Sequence, residues 1–374
     1  MHYRRSAFVL IAIVFAPAMA RGDEENPRLA AYHDRVDRAV ERGLAFLASK
    51  QISRAKAEQT NQPDLVGSFE GWYEPGNTGI TALSVMAFLS KGYTPGNGRY
   101  GAVINHGLDY LLANQHESGL LYSTKRQGNQ IGIMYSHSIA TLLLAETSGM
   151  VDSARQEQID RALPKALALL LSAQDVKKPQ DHAGGWRYQP NSNDSDLSLT
   201  GWAIMALRAG RLNGAPIPKQ NIDNAVQYIL RCRNDDNGFA YQPHQGSTIG
   251  LAGCAVLCLE LCGEHGNKAV VPAGDYILAH LPDRNDGGMK TYYAFYYCSQ
   301  ATFQLGPKYW EPWAPRMYDL LLASQQPNGA WPGGEVGETY NAAMSILAMT
   351  VAYRQLPIYH RDDTFEQEGK PSAP

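Results

Sequence analysis

The sequence predicts an all-α protein folded as an (α/α)6 toroid, two concentric rings of six helices each. Three observations predict it. An amphipathic helical segment recurs six times, each copy is followed by a Gly-rich aromatic loop, and each loop leads into a second segment that is apolar on nearly every face. The apolar positions repeat at three- and four-residue spacing, which a β-strand cannot use.

The first segment carries a small residue, an aromatic or leucine three positions on, an aliphatic next, and often glutamine four later. It begins at Gly43, with Phe46, Leu47 and Gln51, and returns at Gly107 and at Ala166, ending in Gln115 and Gln174. Fainter copies start at Ala225 and Ala273, and a last one at Met317 runs to Gln325. The steps between copies are 64, 59, 59, 48 and 44 residues. Each copy puts its apolar side chains on one stripe, as an outer helix needs.

The second segments are expected over residues 79–89, 135–146, 199–207, 248–260, 292–303 and 339–350. Thr78, Ser136, Ser198, Ser247 and the Glu338-Thr339 pair are their expected N-caps. A helix apolar all round belongs in an interior, so this set forms the inner ring. Ala82, Ala87, Gly201, Ala203, Gly250, Gly253, Ala342 and Ala343 let those helices approach closely. The uneven period favours a closed ring over an open solenoid.

The ends read differently. Two arginines precede an apolar run over residues 7–16, and Ala18, Met19 and Ala20 follow Pro17 as a small-x-small cleavage site. About ten apolar residues fall short of the roughly twenty that span a bilayer, so 1–20 is expected to be a cleaved signal peptide. Export to the periplasm or medium is expected, and no later segment is long and apolar enough to span a membrane. Residues 21–34 are expected as a linker, 35–360 as the toroid, and the polar 361–374 as a disordered tail. The chain has 33 Lys+Arg against 36 Asp+Glu, and loss of Arg4 and Arg5 leaves a net charge of −5. No basic stripe is present, so nucleic acid is not an expected partner. Cys254, Cys258 and Cys262 share one helical stripe among leucines and read as buried structural thiols.

The loops carry a family resemblance. Gln325, Gly329 and Trp331 resemble the QW motif of squalene-hopene-type cyclases in full. Gln51 with Gly71-Trp72 and Gln174 with Gly185-Trp186 resemble it across insertions, Gln115 and Gly119 keep half of it, and Gly238-Phe239 is a degenerate copy. Over residues 35–360 the chain resembles the terpenoid cyclase and protein prenyltransferase superfamily. It most resembles exported bacterial proteins with prenyltransferase/squalene-oxidase repeats, in phrases such as Gly185-Trp186-Arg187-Tyr188 and Thr200-Gly201-Trp202. The resemblance implies the toroid, and a central aromatic-lined cavity for an isoprenoid or other apolar small molecule, lipid included.

Protonation-driven cyclases of that superfamily open an inner helix with Asp-x-Asp-Asp-Thr. Here Asp194 and Asp196 match, but Leu197 and Ser198 replace the next two positions. Losing the adjacent carboxylate removes a like charge that helps keep one aspartate protonated. Asp196 is therefore either the catalytic acid or, with Ser198, a helix cap. His137 is either its partner base or hydrogen-bonded structure. Because every inner helix runs the same way, their starts converge on one mouth, and Tyr135, Asp194, Trp202, Tyr292, Tyr296 and Tyr340 are the expected ligand-binding residues there. Aromatic faces stabilise cations but also fill cores.

Other chemistries fit less well. A zinc prenyltransferase needs Asp, Cys and His ligands, yet Cys298 lies two turns into its helix and Thr339-Tyr340 stand where a histidine belongs. No metal and no cofactor are expected. Cys262 is followed three residues on by His265 instead of the glutamine of a complement-type thioester. Three readings stay open: a cavity that binds or transforms an isoprenoid, as a cyclase-like isomerase or lyase if it is an enzyme; a non-catalytic exported module with a filled centre; and a toroid polysaccharide lyase or glycosidase using groups such as Glu335 and Glu338.

Overall fold

The computed structural model describes residues 26–71, 76–123, 132–333 and 337–359. The expected signal peptide, the tail over 361–374, Trp72 and Glu335 lie outside the described residues. The chain opens with α1 (Pro27–Ala30), α2 (His33–Lys50) and a short α3 (Arg54–Gln59) inside the first long loop. It then runs through α4 (Thr78–Ser90), α5 (Gly101–Ala113), α6 (Ile133–Thr147), α7 (Ser153–Gln174) and α8 (Leu197–Leu212). Next come α9 (Lys219–Arg231), α10 (Ile249–Leu261), α11 (Val270–Ala279), α12 (Met289–Leu305), α13 (Pro307–Ser324) and α14 (Glu338–Met349). Strand among the described residues amounts to Phe239–Ala240 paired with Ser247–Thr248.

The apolar pattern decides which ring a helix joins. In α2 the buried residues are Val36, Ala39, Val40, Gly43, Leu44, Phe46 and Leu47, a single stripe, whereas every residue of α4 is buried. Helices α4, α6, α8, α10, α12 and α14 pack each on the next, and α14 packs back on α4, so the inner ring closes. The remaining long helices, α2, α5, α7, α9, α11 and α13, wrap it. This is the (α/α)6 toroid that the repeats imply. All five cysteines are buried and none is in a disulfide.

The recurring glutamine clasps neighbouring outer helices. Gln325 Nε2 donates to Gly329 O in its own loop at 3.1 Å and to Ala39 O of α2 at 2.8 Å, across the seam where chain start meets chain end. Gln51, Gln115 and Gln174 repeat the arrangement on Val103, Ala162 and Asn221 of the next outer helix. The loop glycine is required: Gly329 has φ +89, and a Cβ there would meet Arg42 O at 2.3 Å. Trp331 and Trp186 lie fully buried, each donating its indole N–H to an outer-helix carbonyl, Leu321 and Leu170.

Two local expectations are corrected. The N-caps shift by one or two residues: Asn77 caps α4 and Asp196 caps α8, upstream of Thr78 and Ser198, and Thr248 caps α10, one downstream of Ser247, because these are the last extended residues whose side chains can reach back to the first turn. Gly132 and Gly337 precede α6 and α14 without a side-chain cap, leaving Ser136 inside its helix. Part of the expected 21–34 linker is helical, in α1 over Pro27–Ala30 and in α2 from His33, and between them Tyr32 donates its hydroxyl to Asp319 at 2.8 Å and packs its ring on Tyr318.

Candidate functional site

A cavity of about 790 Å3 opens at the N-terminal ends of the inner helices. All six line it, through Ile80 and Leu83 of α4, Tyr135 and Ile139 of α6, Trp202 of α8, Ile249 and Leu251 of α10, Tyr293 and Phe295 of α12, and Tyr340 of α14. Loop residues Tyr122, Tyr188 and Tyr241 complete it. The volume lies in the upper part of the range for ligand sites, roughly 300–1,000 Å3. Lys290 is the one charged residue in the lining among the described residues. A parallel ring puts six helix N-termini, each with free N–H groups, around this mouth.

Asp196 lies behind one wall. Its Oδ1 accepts the Leu199 N–H at 2.8 Å, so it does cap α8, and the Tyr135 hydroxyl reaches the same oxygen at 3.4 Å. Oδ2 stands 3.6 Å from Arg187 Nε and has no hydrogen-bond partner. The residue is completely buried, so Tyr135, Ser198 and Tyr241 face the cavity in its place. Burial pushes its carboxyl up to about 7, against the opposing pull of the Leu199 N–H, the Arg187 charge and the Tyr241 and Tyr135 hydroxyls. The carboxyl in this wall therefore holds its proton to higher pH than an exposed aspartate does. Arg187 lies over the rings of Tyr188 and Tyr241, 4.3 and 5.3 Å from their centroids, and those two tyrosines bond through their hydroxyls.

The other expected site residues divide. Tyr135, Trp202 and Tyr340 line the cavity. Tyr296 is buried beneath, its ring stacked on Trp202 at 5.4 Å and 10°. Asp194 sits outside the cavity, half-exposed beside Arg187, where Gln242 donates to it at 3.4 Å. Tyr292 is buried and turned away, donating to Pro332 O and accepting from Asn285.

His137 is not brought to Asp196. Its Nδ1 accepts the Leu121 N–H at 3.1 Å, which leaves Nε2–H to donate to Ala166 O at 3.1 Å. Burial holds this ring neutral, lowering it to about 4. Both nitrogens are used on backbone of the preceding loop and of α7, so the histidine ties the two rings together and has no free nitrogen to act as a base.

Arg187, Tyr188, Tyr241, Tyr293 and Phe295 belong to the site without having been singled out for it. For Tyr293 and Phe295 the signal was the density of aromatic residues over 292–297, where Tyr292, Tyr293, Phe295, Tyr296 and Tyr297 stand together. For Arg187 and Tyr188 it was adjacency to the Gly185-Trp186 turn. Tyr241 gave none beyond being aromatic. Among the described residues no three His, Cys, Asp or Glu side chains come together to hold a metal.

A family model described as the prenyltransferase alpha-alpha toroid domain matches residues 103–290, half of the chain. The chain belongs to the prenyltransferase α/α toroid family. Solved toroids of similar shape include the type II terpene cyclase MstE from Scytonema, with a TM-score of 0.56 and 13% identity over 86% of this chain and 99% of that one. The Candida albicans protein geranylgeranyltransferase-I complexed with GGPP matches with a TM-score of 0.56 and 14% identity, covering 88% and 97%. A protein from Actinoplanes matches with a TM-score of 0.52 and 14% identity, covering 84% and 98%. At these identities the likeness is one of fold. No curated protein sequence matches the chain.

Proposed function

We propose that this toroid binds an apolar small molecule of the isoprenoid class in the cavity at the mouth of its inner ring. The observation that carries the reading is the open 790 Å3 space walled by side chains from all six inner helices, mostly aromatic and aliphatic. A filled centre would leave no such space. A lyase or glycosidase would place carboxylates in the cleft, and none lines it among the described residues.

Asp196 is the polar anchor of the site, acting through the Tyr135 hydroxyl that reaches it. When protonated it can also act in a cyclase-like isomerisation, replacing from behind the wall the proton that the Tyr135 hydroxyl gives up. Two of the similar folds support the ligand class: the Scytonema cyclase was solved with geranylgeranyl dihydroxybenzoate as substrate and the Candida transferase with GGPP. We further propose export, on the residue 1–20 pattern.

Native mass spectrometry of the protein purified without detergent from its own periplasm or medium tests the reading. A single apolar adduct at one per chain, released by organic extraction, is expected. Ligand-free protein that also fails to take up added geranylgeraniol would overturn it.

A further inference from the structure

A second cavity, of about 620 Å3, lies at the seam where α1 and α2 meet α13 and the Val351–Tyr353 turn. Its volume falls within the range of ligand sites, roughly 300–1,000 Å3. It shares no lining residue with the cavity at the mouth. The floor is aromatic and aliphatic. Trp310 and Tyr318, eight residues apart on one face of α13, stand edge-on with ring centroids 6.2 Å apart at 89°. Leu29 and Val36 extend that floor, and Tyr353 closes the far side.

The rim is charged. Asp34 and Arg38 both line it, one turn apart on α2, a spacing at which opposite charges commonly pair. They do not pair here. Both are exposed, and neither has a hydrogen bond or an ion pair among the described residues. Asp37, between them, is held by Lys91, and Asp319 nearby accepts the Tyr32 hydroxyl at 2.8 Å. The rings of this seam already carry cations. Lys91 Nζ lies 5.0 Å over the Tyr353 ring, and the Arg35 guanidinium lies 5.4 Å from the Tyr32 centroid. The negative face of an aromatic ring attracts such charges, and tryptophan does so best.

We propose that the seam cavity binds a small zwitterion that carries a quaternary ammonium, independently of whatever the mouth holds. The methylated cation rests on Trp310, Tyr318 and Tyr353 beside Asp34, and the anionic group meets Arg38. A primary ammonium suits the floor less well. Its three N–H donors each need an acceptor, whereas the floor offers rings and aliphatic carbons, and Asp37 and Asp319 are already engaged. Methyl groups need no acceptor and gain by leaving water against Leu29 and Val36. A cation without an anionic partner suits the rim less well, because Arg38 repels a positive charge placed one helical turn away. This chemistry occurs free, as in glycine betaine and phosphocholine, and on lipid, as the phosphatidylcholine headgroup. Occupancy joins α2 to α13 and so stabilises the closed ring by mass action.

Saturation-transfer NMR titrations of the full chain with glycine betaine and phosphocholine, with and without geranylgeraniol, test the site. At least one of the two is expected to bind one per chain, saturating by about 10 mM, with no effect of geranylgeraniol. Cosedimentation with phosphatidylcholine vesicles separates the sources: binding that phosphocholine displaces assigns the lipid headgroup, and soluble binding without cosedimentation assigns the free zwitterion. Asp34→Asn and Arg38→Gln change exposed, unpaired side chains and so leave the fold intact. Each should weaken zwitterion binding at least ~3-fold, while Arg38→Gln should bind tetramethylammonium no more weakly than wild type. Failure of both soluble zwitterions to bind, displacement by geranylgeraniol, or wild-type affinity in either variant overturns the proposal. Vesicle binding that phosphocholine leaves untouched overturns it as well.

Discussion

Each end of the inner ring buries a carboxyl beside an arginine, Asp196 beside Arg187 and Glu146 beside Arg208, and burial lifts both of these acids to about 7. Their surroundings are opposite. Asp196 stands at the start of α8, where the helix dipole favours an anion, behind a tyrosine wall of an open cavity. Glu146 stands at the end of α6, where the dipole opposes an anion, under a packed strap. A raised carboxyl therefore marks a candidate site here only where a cavity adjoins it; at the other end the same perturbation belongs to packing under the segment that carries Ile358.

The arginines should separate the two ends most sharply. Arg208 is 1% exposed and bonds two main-chain carbonyls, so Arg208→Ala is expected to cost about 3–5 kcal/mol by leaving buried partners unpaired. Arg187 keeps part of its side chain in water, and Arg187→Ala should cost roughly 1 kcal/mol. Denaturant unfolding of both variants measures the gap. Equal losses would mean that the two ends are not built differently.

A smaller effect is expected at His137. Replacing it by alanine leaves the Leu121 N–H and the Ala166 carbonyl unpaired in the interior, a loss of about 2–4 kcal/mol. Binding of an isoprenoid alcohol by the folded fraction should be unchanged. A variant of wild-type stability that no longer binds would return His137 to the site.

At pH 4 the smallest stability change belongs to Asp196→Asn, since asparagine caps a helix about as well as aspartate. Native Asp196 holds its proton to about pH 7, whereas the unfolded chain releases it near 3.8, so wild-type stability falls as pH rises between those values. The variant has no proton to lose. Its melting temperature should match wild type at pH 4 and exceed it at pH 8, by at least ~1 kcal/mol in stability. If Asp196 anchors ligand, retention should drop at both pH values. Unchanged retention would leave it a cap alone.

These expectations rest on features that were legible to different degrees. The helices and their ring assignment were, because a one-stripe segment such as Gly43 to Gln51 and an all-apolar one such as residues 79–89 state their burial locally. Asp196 was legible as a choice between acid and cap, and the structure shows the cap geometry together with a buried, partnerless Oδ2. For His137 the sequence left base and hydrogen-bonded structure open, because distance from a helix start does not say which side of the helix faces the cavity, and both ring nitrogens lie on backbone. Tyr292 and Tyr293 show the same limit: adjacent tyrosines, one on a backbone carbonyl and the other on the cavity wall.

The sequence by itself determined the helical class, the six-fold alternation of amphipathic and wholly apolar segments, and the glutamine and glycine that recur where outer helices meet. Each is a matter of spacing within a single segment. Tertiary structure alone decided that the ring centre stays open at the mouth, that Arg187 stacks on Tyr188 and Tyr241 beside Asp196, and that Glu146, Arg208 and Ile358 meet at the far end. Those contacts join residues as much as 212 positions apart. Their energies depend on how much water the closed ring excludes, and that quantity exists only after all six inner helices have packed.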